Sequence, residues 1–204
     1  MNETTALRQH TGQLANRSYT TTQTLAVHNR STGAVRWRDS QVTRVAPGGS
    51  SFAIDRNFSE PRGPADIVHS RLYYNGTTTR RVAYANGTVV HRSSDRRANV
   101  DLTRAALLGR LFHQLENVQV DRDRDRRTVV TGTVPYPRVL PSPPNTQATG
   151  SATVTARLTP AGIVQELAVG YDARSVGGPA RVRLSVQFDA IGSTAVERPG
   201  WHDR

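Results

Sequence analysis

DLTRAALLGRLFHQLE, Asp101–Glu116, is the longest helical pattern in the chain, and whatever surrounds it has to cover its apolar side. Leu102, Ala105, Leu108, Leu111, Phe112 and Leu115 recur at i, i+3 and i+4 and form one stripe. Thr103, Ala106, Arg110, His113 and Asn117 fall opposite. Asp101 is placed to cap the helix, because its carboxylate can accept from the free N–H groups of the first turn. A helix with such a stripe needs a second layer to bury it. The segments on either side read as strands, so that layer is a sheet.

Upstream, residues 4–15 read as a short helix with Leu7, His10 and Leu14 on one side and Asn16 as its stop. Ser18–His28 and Val35–Val45 alternate around the turn Ser31-Thr32-Gly33, and Pro47-Gly48-Gly49 ends that hairpin. Ser51–Phe58 is a third strand, followed by a loop around Pro61 and Pro64. Ile67–Tyr74 and Thr77–Tyr84 flank Asn75-Gly76, a strong hairpin signal, and Asn86-Gly87 repeats the device before Thr88–His91. Downstream of the helix, Val118–Asp121 and Thr128–Val134 read as a hairpin with a charged tip. Tyr136–Thr149 holds four prolines and reads as an exposed loop. Ser151–Leu158, Ile163–Tyr171 and Arg181–Phe188 form a last meander, and Gly192–Arg204 a tail. The expected fold is therefore α+β: one domain over residues 1–204, with about eleven strands in a single strongly curved antiparallel sheet. Both helices are expected on its concave face.

The chain has 204 residues, 27 Lys+Arg against 16 Asp+Glu, and a formal net charge of +11; all 27 basic residues are Arg. Such a charge suits an anionic partner: nucleic acid, a lipid headgroup or an acidic glycan. No basic run reaches five residues, so nucleic acid is not the expected partner. Cysteine is absent, which excludes disulfides, thiolate metal sites and Cys nucleophiles. Nothing in the sequence is apolar enough over enough residues to span a membrane as a helix. Six of the nine Asn residues stand in Asn-X-Ser/Thr: Asn2, Asn16, Asn29, Asn57, Asn75 and Asn86. This motif marks glycan acceptors on exported surfaces. Turn chemistry accounts equally for Asn75 and Asn86 but not for the other four.

Catalytic chemistry is sparse. Asp121, Asp123 and Asp125 match the start of a calcium loop, but positions six and twelve are Arg126 and Gly132 where Gly and Glu are needed. The histidines, His10, His28, His69, His91, His113 and His202, show no HxH or HxxxH pairing, although His28, His69 and His91 lie near strand ends and could converge. No nucleophile elbow, Walker loop or dinucleotide glycine pattern occurs. Neither an enzyme, a cofactor nor a metal is expected. The aromatic residues either fill the core or line a pocket beside the helix. The candidates for such a cavity are Tyr19, Trp37, Phe52, Tyr73, Leu108, Phe112 and Leu115.

Two stretches, TALRQHTGQLANRSYT (Thr5–Thr20) and IGSTAVERPGW (Ile191–Trp201), resemble the two ends of the mature domain in a haloarchaeal lipoprotein family of unknown function. The NGT turns and the LTPAG turn (Leu158–Gly162) follow the same order between them. In that pattern His10, Tyr19, Pro199 and Trp201 are the matching residues, read as structural. The resemblance implies a cell-surface protein anchored through a lipidated Cys. It also implies a half-barrel similar to the LolA and LppX type, with an acyl chain or other apolar ligand in the concavity. The signal segment and lipidated Cys are not in this sequence, so either it starts after them or the chain is an unanchored variant. Haloarchaeal proteins usually run acidic, so the strong positive charge adds an acidic envelope polymer as a second expected partner. A monomer is expected.

Overall fold

The computed structural model describes residues 3–59, 67–85, 88–94, 98–137, 140–141, 143 and 145–201. The chain begins with helix α1 (Glu3–Ala15) and continues through strands β1 (Tyr19–Asn29), β2 (Val35–Val45), β3 (Phe52–Ser59), β4 (Ile67–Tyr74), β5 (Thr79–Ala85) and β6 (Thr88–Ser94). Helix α2 (Ala105–His113) follows, and then β7 (Glu116–Arg122), β8 (Thr128–Val134), β9 (Thr146–Leu158), β10 (Val164–Ser175) and β11 (Gly178–Asp189). All eleven strands join one antiparallel sheet in the order β6-β5-β4-β3-β2-β1-β11-β10-β9-β8-β7. The chain thus builds a meander outward from β1, crosses back with α2 to the other edge, and builds a second meander inward until β11 closes on β1.

The register defines two faces. Leu25 is opposite Leu184, Leu184 opposite Val169, Val169 opposite Val154 and Val154 opposite Gly132. This apolar row faces the helices: the His10 ring meets Phe188 edge-on at 4.9 Å, and Leu115 closes on Gly132. A Cβ on Gly132 would stand 2.8 Å from Leu115 Cγ and 2.9 Å from the Glu116 carbonyl, so the close approach requires glycine. The two helices touch where Gly109 admits Leu7. The opposite face carries Arg181, Arg183, Ser185 and Gln187 along β11, all exposed. At one end of this face the C-terminal segment folds back. Gly192 N–H donates to Ser18 O at 2.7 Å, Thr194 and Thr20 hydroxyls pair at 3.0 Å, and residues 195–201 lie along Arg44, Ala53, Asp55 and Arg71.

The sheet is not as strongly curled as expected. Sheets curl at bulges and glycine kinks. Four of the five register shifts found here lie at strand ends, beside Val27, Val164, Ile67 and Glu116, and only that at Tyr171/Ala173 interrupts a strand within its span.

Several elements differ in extent from the sequence expectation, among them β6, β10 and β11, which run three or four residues further than expected at one end. Helix α2 is nine residues rather than sixteen, because Arg104 takes a left-handed conformation (φ 59°) and breaks the pattern. Asp101 still caps it from upstream: Oδ1 accepts Ala105 N–H at 3.0 Å and Oδ2 accepts Ala106 N–H at 2.8 Å. Past His113 the chain straightens, and β7 begins at Glu116 instead of Val118. At the other side, β9 starts at Thr146 and takes over the end of the proline-bearing stretch. The predicted loop around Pro61 and Pro64 and the Asn86-Gly87 turn lie outside the described residues.

Candidate functional site

The cavity candidates separate into three groups. Tyr19, Phe52 and Leu108 are core: Tyr19 sits against Phe188, Phe52 against Tyr74 at 5.2 Å, and Leu108 is 1% exposed. Trp37 packs half-buried against the margin of the core from β2. Tyr73 is carried to the opposite face, since Phe52 pairs with Tyr74 and Ala53 with Tyr73. Phe112 and Leu115 are half-buried, and these two come together at an open groove.

That groove lies at the β7 edge of the sheet. Phe112 and Leu115 form one wall, Val130 and Leu158 the floor, and Val118 and Val120 the outer lip, with a volume of about 560 Å³. Val118 is 51% and Val120 63% exposed. Ala6 of α1 closes one end, and Asp121 and Arg122 give the rim one charge of each sign. The local cause is the position of α2. Its last turn stops at His113, Leu115 drops onto Gly132, and among the described residues no element covers the two strands beyond. Val118 and Val120 occupy the helix-facing side of an edge strand whose seven residues are all exposed. Nothing in the spacing of β7 distinguishes it from a covered strand, so the sequence did not mark these two valines.

A polar cluster lies on the same face. Asp39, 7% exposed, accepts Arg56 Nε at 2.9 Å and Nη2 through its second oxygen. The Asp39 hydrogen bond raises the Arg56 pKa further. Burial lowers that of Arg104, whose neighbours are Asp101, Tyr19, Arg56 and Asp39. Asp39 therefore pairs with Arg56, while on Arg104 it adds only weakly to the stronger field of Asp101. The Arg104 Nε and Thr21 Oγ1 are buried without a partner among the described residues. His10 is fully buried; its Nδ1 accepts Val164 N–H at 3.1 Å, so Nε2 carries the proton that bonds to Thr103 O at 2.9 Å.

The remaining motifs resolve into local structure. Asp123 Oδ1 accepts from the backbone N–H groups of Asp125 and Arg127, which makes the charged run a hairpin tip. His28 bonds Gly33 O, and His69 pairs with Asp55 at 2.8 Å and stacks on Tyr84. The side chain of His91, and all of His202, lie outside the described residues. Among the described residues no three His, Cys, Asp or Glu side chains cluster as metal ligands, and no helix is long and apolar enough to cross a membrane. Asn16, Asn57 and Asn75 are exposed and Asn29 is half-buried; Asn2 and Asn86 are not among the described residues. In both Asn29 and Asn75 the side-chain oxygen accepts from the N–H and hydroxyl two residues on.

The fold is that of an α+β protein on one open eleven-stranded antiparallel sheet with two helices on one face. Among solved structures the chain is similar to the lipoprotein LppX of Mycobacterium tuberculosis, with 11% identity, a TM-score of 0.48, and 96% of this chain and 97% of that one covered. It is also similar to a DUF1329 family protein from Desulfovibrio piger, with 8% identity, a TM-score of 0.31, and 99% and 95% covered. No family model and no curated relative matches the chain, so the haloarchaeal resemblance gains no support from them.

Proposed function

We propose that this chain is a non-catalytic binding module that takes a single apolar or amphiphilic molecule, such as a lipid, into the groove between Phe112 and β7. The observation that carries this reading is the pair Val118 and Val120, more than half exposed on the lip of an apolar hollow instead of in the core. Uncovered apolar surface that is concave and rimmed by charge is the usual form of a small-molecule site, and about 560 Å³ falls within the roughly 300–1,000 Å³ such sites span. The acyl or other apolar part would lie on Val130 and Leu158, and the polar end would meet Asp121 and Arg122 at the rim. The module acts as a monomeric single domain on an exported cell-surface protein of the lipoprotein kind. The Asn-X-Ser/Thr sites at Asn16, Asn29, Asn57 and Asn75 support the exported setting.

The test is titration with a fatty acid whose fluorescence rises in an apolar site. The native chain should bind it saturably at one site, and V118K/V120K should lose at least about tenfold in affinity while its melting temperature holds. Absence of saturable binding by the native chain, or equal binding by the variant, would sink the reading.

A further inference from the structure

The face opposite the helices holds a second feature that the groove does not use. Across β2, β1, β11, β10 and β9 runs a shallow trough of about 410 Å³, well away from the end where the C-terminal segment crosses. Its floor is made of small residues: Ala26, Ala168 and Gly170. Arg183 stands between two of them, opposite Ala26 on β1 and Gly170 on β10, while Arg38 is opposite Ala26 from the other side. Arg181 is the next residue outward on β11, with His28 beside it. Among the described residues none of these three arginines has an acidic partner within ion-pair distance. The nearby Asp172 is held by Arg30 at 3.1 Å, and Glu166 by Arg157 at 2.6 Å. Asp172 lies directly across from Arg181 with its Oδ1 unpartnered, yet among the described residues neither carboxylate reaches the three guanidiniums, which stand without an ion pair on one strip of the sheet.

The geometry favours a linear ligand. A second hollow adjoins the first and shares Thr155, Ala168 and Ser185 with it, so the trough is elongated rather than a closed anion cup. The strand lattice places Arg38 and Arg183 roughly 10 Å apart across β1, and Arg181 and Arg183 roughly 7 Å apart along β11. One rung further along, past Arg183, stand hydroxyls that both donate and accept: Ser185, Thr24 opposite it, and Thr155 across Ala168. Arginine grips carboxylate or sulfate through two parallel N–H bonds. The trough is lined by no Phe, Tyr or Trp, and its one ring, His28, is tied to Gly33 O at 3.1 Å, so it lacks the row of aromatic planes on which successive bases of single-stranded nucleic acid stack. No large apolar side chain projects from the trough, which disfavours insertion into a membrane surface.

We propose that the trough on Arg38, Arg181 and Arg183 is a docking site for an acidic polysaccharide, with carboxylates or sulfates on the arginines and sugar hydroxyls on the threonine and serine side chains. It is independent of the apolar groove, on the other face of the sheet.

The experiment measures binding to immobilised polygalacturonate at about 50 mM salt, with uncharged dextran, oligothymidylate and anionic phospholipid vesicles in parallel. The native chain should bind the polyuronate and release it by about 0.5 M salt. R38Q/R181Q/R183Q should weaken binding at least about tenfold. R17Q/R124Q/R126Q removes the same charge from exposed positions elsewhere and should weaken it less than about threefold. R183E alone gives a second reading should the first triple variant not fold. Equal losses in the two triple variants would make the binding diffuse and overturn the site. So would unchanged binding by R38Q/R181Q/R183Q and R183E, or tighter binding of oligothymidylate or vesicles that the same substitutions abolish.

Discussion

His10 accepts the backbone N–H of Val164 on its Nδ1 at 3.1 Å, which fastens α1 to a strand 154 residues further along the chain. The opposite ring nitrogen donates to Thr103 O at the start of the α2 segment, so one imidazole ties three elements together. Burial lowers the His10 pKa below its ordinary value of 6.5. The folded state therefore holds the neutral ring. Its contribution is complete above the unfolded pKa and is lost as pH falls below about 6.5 toward the folded pKa. Urea midpoints taken at about pH 7.5 and about pH 5.5 should fall on acidification, by at most about 1.4 kcal/mol per pH unit. H10Q should be less stable at the higher pH and show a flatter dependence. A profile in H10Q as steep as the native one would place the titration elsewhere.

Asp39 pairs with Arg56 and adds to the anionic field on Arg104, in which Asp101 is the stronger source. D39N removes the paired anion of Arg56 and leaves the repulsion between Arg56 and Arg104 less opposed on the helix-bearing face. It should cost about 2–4 kcal/mol, read from chemical denaturation. Added salt should recover part of the loss, since Arg56 is partly exposed and can be screened. D39N/R104Q should be more stable than D39N alone. If the second substitution deepens the loss, Arg104 is not repelled by Arg56.

Asp101 satisfies two N–H groups at the head of α2, and no other acidic residue stands in that turn. D101A should therefore cost about 1–2 kcal/mol, a little above an ordinary cap because both oxygens are used. The loss should appear as early amide exchange confined to residues 105–108.

Gly132 is the contact point of α2's exit with the sheet. G132A would push Leu115 and the Glu116 backbone apart by several tenths of an ångström, at a cost of about 2 kcal/mol. That corresponds to a melting point lower by roughly 4–8 °C. Because Leu115 is also a wall of the groove, the fatty-acid affinity should change with it. In contrast G150A, with open space around its Cβ, should leave both unchanged.

Much of this architecture is readable from residue pattern. Ala180, Val182, Leu184, Val186 and Phe188 alternate with exposed partners and are all buried in the structure, and Asn75-Gly76 does mark a hairpin turn, although it opens a four-residue loop between Tyr74 and Thr79 in place of the tight two-residue one. The strand count and the presence of two helices follow from the same signals. Three things do not. Tyr73 and Tyr74 are adjacent, so the face each takes is set by the pairing with β3, a long-range fact. The curvature depends on where bulges fall, and bulges have no reliable local signature. The groove exists because α2 ends at His113 and β7 is an edge, neither of which the alternation of Val118 and Val120 contains. Likewise Asp39 and Arg56 are ordinary strand residues until β2 and β3 align them.

The groove is the centre of this account, and backbone amide NMR with a long-chain fatty acid as the probe tests it most directly. Saturable shifts should gather at Phe112, Leu115, Val118, Val120 and Val130, while amides around Phe52 and Leu25 in the packed core stay still. Shifts gathered elsewhere, or none at saturating probe, would contradict it.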